Sequence, residues 1–219
     1  MGMGRRVGAL ALATAVVMAL TGTGTALADG EYEPNDSLTQ TAGPLAAGIN
    51  YEATQDTDND VDWYRFYTGG QVQLTITATV LNDGGCTMYL RDNKGEDLNS
   101  LGFGDSRFYD LKQTLYRPGI YYLEIYCKYD TGARYRFSLS PANATVSEAC
   151  GLSLGNQTDA QKDVSKAEDK VAKAQARKRN AHGKRAKQRA KARLRQARGL
   201  LANAQSTLAG WQAAVAANC

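Results

Sequence analysis

The chain has 219 residues, 43% of them hydrophobic and 22% charged, with 22 glycines, 4 prolines, 4 cysteines and one histidine; this is ordinary globular composition and excludes collagenous, mucin-like and wholly disordered classes. The formal charge of +4 hides a division: residues 29–148 carry 9 basic and 18 acidic side chains, a balance of −9, while residues 149–219 carry 15 and 4, a balance of +11. Segments of such opposite charge do not share one surface chemistry, so a boundary is expected near Pro141, with the basic part seeking polyanions.

At the N-terminus Arg5 and Arg6 precede an apolar run over 7–20, and the small residues of Ala26, Leu27, Ala28 follow. This is the pattern of a secretory signal peptide over residues 1–28, read by the general secretory route. The run has 14 residues where a membrane span needs about 20, and no second candidate follows. The expectation is a secreted, extracellular protein beginning at Asp29 and lacking a transmembrane segment once the signal is removed.

From residue 50 to residue 140 short apolar runs alternate with turns, and strands are expected over 62–67, 72–81, 86–91, 120–126 and 135–139. Asn82, Asp83, Gly84, Gly85 and Asp92, Asn93, Lys94, Gly95 are strong turn clusters. Val72, Leu74, Ile76, Ala78 and Val80 alternate with Gln73, Thr75, Thr77 and Thr79, as in a strand with one buried and one solvated face. Repeated short strands of this kind indicate an antiparallel β-sandwich.

Four cysteines in a secreted chain suggest two disulfides, for which three pairings exist. Cys86 with Met88 and Leu90, and Cys127 with Leu123 and Ile125, share a period of two that aims both thiols into one core. Cys150 and Cys219 bracket the basic segment, and their bond would close it as a unit. The local patterns therefore favour Cys86–Cys127 and Cys150–Cys219; with no CxxC and one His, zinc has no support.

Several motifs follow the order of one family: Glu33-Pro34-Asn35-Asp36-Ser37, then Thr41-Ala42 and Pro44-Leu45, then Asp60-Val61-Asp62-Trp63-Tyr64-Arg65-Phe66, then Gly119-Ile120-Tyr121-Tyr122-Leu123 and Tyr135-Arg136-Phe137-Ser138-Leu139. Over residues 29–141 the chain resembles the bacterial pre-peptidase C-terminal domains, which are similar to the collagen-binding domains of clostridial collagenases. The resemblance implies a jelly-roll-like sandwich that accompanies secreted peptidases as an accessory module. No peptidase domain accompanies it in this sequence.

Acidic and amide side chains crowd two places in this part, Glu31, Glu33, Asn35 and Asp36 near its start and Asp56, Asp58, Asn59, Asp60 and Asp62 before the first aromatic strand. Oxygen ligands without nitrogen or sulfur are the set that a hard cation such as Ca²⁺ prefers. The resemblance implies calcium as a cofactor held by Glu31, Glu33, Asn35, Asp36, Asn59 and Asp62, with Asp60 as an addition. A solvated acidic edge built from turn-forming Asp and Asn is the other reading. Tyrosines are also dense here, and Tyr122 and Tyr126 are expected to face outward on one strand, as ligand contacts or as ordinary sheet-face residues.

After a turn-prone linker over 142–157 the period changes from two to a heptad. Ala160, Val164, Ala167, Val171, Ala174 and then Ala190, Leu194, Ala197, Leu201, Ala204, Leu208, Trp211, Val215 follow 4,3 spacing, which predicts a coiled-coil seam. Thr158 with Gln161 reads as a capping box, and Asn180, Ala181, His182, Gly183 as the break between two antiparallel helices over 158–219. The expected fold class is thus α+β multidomain: an antiparallel jelly-roll-like sandwich followed by an α-helical coiled-coil hairpin.

The hairpin's tip carries the sharpest functional signal. Lys170, Lys173, Arg177, Lys178, Arg179, Lys184, Arg185, Lys187, Arg189, Lys191, Arg193, Arg195 and Arg198 fall within 29 residues that contain no acid and no aromatic residue. Like charges at i, i+4 repel, so the pattern costs helix stability and points to polyanions such as teichoic acid, anionic lipid or extracellular nucleic acid. A charged stalk, or a clamp for the chain's own acidic part, are the alternatives. Catalysis has little support, because His182 sits among cations and HExxH, GxSxG and Walker motifs are absent. The expected function is a non-enzymatic binding protein, associated with an anionic cell-wall polymer or a secreted protein. Two alternatives stand beside it: an accessory subunit that binds an extracellular peptidase or its substrate, and, on carboxylate count alone, a glycan hydrolase.

Overall fold

Inward and outward side chains alternate through the strands of the computed structural model, which describes residues 26–27, 35–55, 57, 60–104, 106–128 and 132–219. The strands are β1 (Ala26–Leu27), β2 (Asn50–Thr54), β3 (Val61–Thr68), β4 (Val72–Val80), β5 (Gly85–Arg91), β6 (Asp97–Gly104), β7 (Tyr109–Leu115), β8 (Gly119–Cys127) and β9 (Arg134–Ser140). They form two sheets, β1-β2-β9-β4-β7 and β3-β8-β5-β6, antiparallel throughout except that β1 runs parallel to β2. Apart from Ala26 and Leu27, the expected signal peptide lies outside the described residues.

The inner faces meet in one core. Tyr64 and Phe66 of β3, Leu74, Ile76 and Ala78 of β4, Met88 and Leu90 of β5, Leu123 and Ile125 of β8 and Tyr135, Phe137 and Leu139 of β9 are all buried there. Cys86 and Cys127 are register partners on β5 and β8 and are joined by a disulfide that buries both. The five expected strands are present. Sequence reasoning missed β1, which falls within the expected signal peptide, and β2, β6 and β7, each of which buries only one or two large side chains and so carries no long apolar alternation. The free edge of β3 is covered by residues 41–45, through Ala42 N–H to Trp63 O, Arg65 N–H to Ala42 O and Leu45 N–H to Arg65 O, each 2.8 Å.

Two helices follow, α1 (Glu148–Arg179) and α2 (Lys184–Asn218), folded back on one another about residues 180–183. Their seam contains Ala160, Val164, Ala167 and Ala174 of α1 and Ala190, Leu194 and Ala197 of α2, all buried and all at expected seam positions. The helix start differs from expectation. Ser147 is the N-cap, its hydroxyl accepting the Cys150 N–H at 3.3 Å, so residues 148–157 of the expected linker are helical. Thr158 caps nothing: its hydroxyl donates to Leu154 O at 2.9 Å inside the running helix.

Tertiary contact is what makes this glycine-rich stretch helical. Val146 N–H bonds Tyr67 O at 2.9 Å, and Tyr67 Oη donates to Glu148 Oε1 at 2.9 Å, which ties the first turn of α1 to the end of β3. A Cβ on Gly151 would lie 2.5 Å from Tyr67 Cβ, and one on Gly155 would lie 3.5 Å from Gly119 Cα. Two glycines one turn apart thus let the helix backbone rest on the sandwich, at a propensity cost of about 1 kcal/mol each relative to alanine. At the same end the Cys150–Cys219 disulfide and the bond from Asn218 Nδ2 to Ser153 Oγ, 2.8 Å, join the two helices.

Candidate functional site

The acidic end of the sandwich is built on the approach to β3. Asn35, Asp60 and Asp62 are all buried there, and Asp36 is exposed. Trp63 N–H bonds Asn35 O at 2.9 Å, which draws the N-terminal segment alongside β3. Gln55, fully buried, organises the loop: its Nε2 donates to Asp60 O, its Oε1 accepts the Cys127 N–H at 2.7 Å, and its own N–H bonds Ala133 O at 2.9 Å. Nothing in the sequence pattern singles out Gln55, because a buried polar residue in a loop has no periodic signature.

Asp62 points into the core, where Tyr135 Oη donates to its Oδ2. Tyr64 and Tyr135 hydroxyls are 2.8 Å apart, and since the Tyr135 proton is given to Asp62, Tyr64 is the donor of that bond. Burial, with the Tyr64 hydroxyl and the Asp62 carboxylate beside it, holds the Tyr135 hydroxyl well above the usual tyrosine range. The phenol therefore stays protonated and donating at any ordinary pH. Of the residues expected to hold calcium, Glu31, Glu33 and Asn59 lie outside the described residues. Among the described residues no three carboxylate, imidazole or thiol side chains gather as a metal site. The donors at this end, Asn35, Asp60 and Asp62, are nonetheless all oxygen and all shielded from solvent, a set that fits a hard cation.

Tyr122 and Tyr126 are half-buried on the outer face of the second sheet. Tyr122 meets the Trp63 ring edge-on at 6.4 Å between centroids. Arg91 lies 5.2 Å from the ring centroids of both Trp63 and Tyr89, donates to Glu124 and pairs with Asp97 at 2.7 Å. This face spends its aromatic and charged groups largely on its own contacts.

The hairpin tip is the opposite case. All thirteen cations from Lys170 to Arg198 are exposed, and among the described residues none of them forms an ion pair. The hairpin's own pairs, Lys162–Asp159 at 2.7 Å and Lys166–Asp163 at 3.1 Å, lie toward its base. At the end of α1 the basic residues Arg177, Lys178 and Arg179 suit the helix dipole; at the start of α2 they oppose it, since that first turn holds no acid and Gly183 supplies no side-chain cap. Between Gly155, resting on the sandwich, and Arg177 the helix climbs about 33 Å. The tip is therefore not clamped onto the chain's own acidic part. Arg177, Arg185, Arg189 and Arg193, with His182 and Lys184, line a groove of about 790 Å³ together with Ala181, Ala186 and Ala190.

A second concavity, of about 400 Å³, lies where α1 meets the sandwich, between the β7–β8 turn at Tyr116, Arg117 and Pro118 and the α1 residues Leu152, Asn156 and Asp159. Tyr116 and Leu152 are exposed at its rim. Sequence reasoning missed this cleft because it exists only when residues 148–157 are helical and docked.

No protein-family model matches the sequence, and no curated protein matches it either. Among solved structures the chain is similar to the pre-peptidase C-terminal domain of a collagenase from Bacillus anthracis, at 21% identity and a TM-score of 0.36 over 44% of this chain and 91% of that one. It is also similar to the CBM36-1 domain of a multidomain xylanase from the hindgut metagenome of Trinervitermes trinervoides, at 19% identity and a TM-score of 0.27 over 41% of this chain and 77% of that one. A third is the carbohydrate-binding module CBM36 in complex with calcium and xylotriose, at 15% identity and a TM-score of 0.25 over 45% and 87%. No helix among the described residues is long and apolar enough to cross a membrane. The sandwich architecture rests on the strand pairing itself.

Proposed function

We propose that the chain is a secreted, non-enzymatic binding protein whose basic hairpin attaches it to anionic polymers of a cell surface and so displays the sandwich there. The observation that carries this reading is the far end of the hairpin, where thirteen exposed cations stand without an acidic partner among the described residues while the base is fixed to the sandwich. Such charge, retained at a cost to helix stability, is accounted for by a polyanion that repays it through counterion release. His182 lies exposed at the turn, surrounded by cations and far along the helices from any carboxylate of the sandwich, which favours binding over acid–base chemistry. In this reading calcium supports the acidic end, held by Asn35, Asp36, Asp60 and Asp62 with Glu31, Glu33 and Asn59, and supplies only charge neutralisation there.

Retention of the full mature chain on purified cell wall and on anionic vesicles across a salt series tests the reading. Binding is expected to weaken steeply with salt and to weaken again in the Arg185→Gln/Arg189→Gln/Arg193→Gln variant; equal retention of wild type and variant defeats it. In the same preparation the thermal midpoint of the sandwich is expected to rise with millimolar Ca²⁺ over chelator and to stop doing so in Asp62→Asn. The cleft between the β7–β8 turn and α1, with exposed Tyr116 and Leu152, favours a second reading in which this side takes an extracellular protein, as an accessory subunit to a peptidase would.

A further inference from the structure

The two flanks of the tip are chemically unlike. On α2, Arg185, Arg189 and Arg193 recur at i+4, so their attachment points advance about 6 Å per step along one side of the helix. Arg177 of α1 lines the same groove, in which Ala181, Ala186 and Ala190 are the small apolar lining residues. Around the helix from them, Lys187 and Lys191 line a second concavity with Gln188, and Gly183 and Lys184 border both. A guanidinium is planar, weakly hydrated and offers a fork of donors that engages two oxygens of one phosphate; an ammonium is a strongly hydrated point charge. None of the four arginines has an ion-pair partner among the described residues, so their forks are not engaged by the chain's own carboxylates.

We infer that the arginine groove is a seat for a phosphodiester chain, one phosphate to each guanidinium fork, and that the lysine flank contributes attraction without selecting the ligand. The inference rests on the polyanion reading above and narrows its substrate class to phosphate-bearing polymers, read through their backbone. Phe, Tyr and Trp are absent from Lys170 to Arg198, so the large rings on which successive bases stack are missing and the phosphates are what the arginines can read. A groove of about 790 Å³ with small alanine side chains in its lining has room for a flexible single chain along α2, its phosphates turned toward Arg185, Arg189 and Arg193 and toward Arg177 of α1.

Titration of the full chain against three probes tests this: a poly(glycerol phosphate), a single-stranded oligothymidylate, and poly-L-glutamate of matched charge. Wild type is expected to bind at least one phosphodiester probe about tenfold more tightly than polyglutamate. Arg185→Lys/Arg189→Lys/Arg193→Lys keeps the charge and the helix propensity; it is expected to lose about tenfold on that probe with an unchanged salt slope, and to bind polyglutamate as wild type does. Lys187→Gln/Lys191→Gln should instead weaken all three probes together and flatten the slope. The better of the two phosphodiester probes identifies the source, wall polymer or nucleic acid. Wild-type preference for polyglutamate, or lysine replacements that bind like wild type, overturns the groove while leaving polyanion binding intact. A wild-type chain that binds none of the probes at low salt overturns both.

Discussion

The sandwich and the hairpin solve the problem of stability in opposite ways. The sandwich buries large aromatic and aliphatic side chains between two sheets, and its outer charges are spent on one another, as in Arg91 with Glu124 and Asp97 or Arg136 with Glu52. The hairpin buries mostly alanine, keeps its tip cations without an ion pair among the described residues, and is secured at its base by a disulfide, an amide–hydroxyl bond and the contact with Tyr67. An alanine seam removes little apolar area per residue. The contrast teaches that the hairpin's order is supplied from its base, which leaves the other end free to carry repelling charge.

The largest effect is therefore expected from the Cys150–Cys219 bond, which closes 69 residues and on the chain-entropy model contributes about 4 kcal/mol. Cys150→Ser/Cys219→Ser should lower the melting temperature of the helical signal at 222 nm far more than that of the near-ultraviolet tyrosine signal, since all 12 tyrosines precede the hairpin. The Cys86–Cys127 bond closes 41 residues, but it lies inside a core that buries many large side chains, and its removal should leave the sandwich folded. If removing either bond shifts both signals equally, the contrast between the two parts is wrong.

One substitution made in two places sharpens the comparison. At Gly151 an alanine methyl meets Tyr67 at 2.5 Å, whereas at Gly199 of α2 nothing stands within 4 Å. Gly199→Ala should stabilise the hairpin by up to about 1 kcal/mol, the ordinary propensity difference. Gly151→Ala carries the same gain, but overpacking of about 1–3 kcal/mol outweighs it, and α1 must lift from the sandwich. Opposite signs of the two shifts in thermal midpoint are the expected result; a stabilising Gly151→Ala would mean that the helix is not docked there.

These glycines also mark where the sequence was legible and where it was not. Strands β3, β4, β5, β8 and β9 could be read because each buries every second side chain, and the seam could be read because Ala160, Val164, Ala167 and their partners repeat at 4,3 spacing. Gly151, Ser153, Gly155 and Asn156 look like a linker because their intrinsic preferences are those of a linker; they are helical because Tyr67, Glu148 and Cys219 hold them so. The false cap at Thr158 has the same origin. At the acidic end, sequence pointed to Asp60 and Asp62 but could not show that Tyr135, more than seventy residues away, binds the second of them.

A smaller effect is expected at the joint between the two parts. Burial, with the Glu148 carboxylate as acceptor and neighbour, pushes the Tyr67 hydroxyl up to about 12. An unfolded tyrosine titrates near 10. The native state thus holds its proton where the unfolded state has lost it, and the stability this gives is fully present below pH 10 and is lost as pH rises from 10 through 12. Tyr67→Phe should cost about 1.5 kcal/mol at neutral pH. Measured from pH 8 to 12, the difference in stability between wild type and this variant should shrink above pH 10; a difference constant across that range removes the Tyr67–Glu148 bond from the account.

The smallest effect is the most informative about the tip, because stability and binding should move in opposite directions. Arg185, Arg189 and Arg193 stand at i, i+4, i+8, and each like-charged pair at that spacing costs an isolated helix about 0.2–0.5 kcal/mol. Lys184 and Arg185 add to this by opposing the dipole in a first turn that holds no acid. Replacing the three arginines with glutamine keeps propensity nearly constant, so the helical signal should melt no lower than wild type and a few tenths of a kcal/mol higher at low ionic strength. The gain should vanish in high salt, where the repulsion is screened. A structural stalk under selection for stability alone has no reason to keep an arrangement that glutamine improves, whereas a polyanion site does. Should the glutamine variant melt lower at every salt concentration, the arginines are holding the tip together through contacts of their own, and the charge would then belong to the architecture of the hairpin.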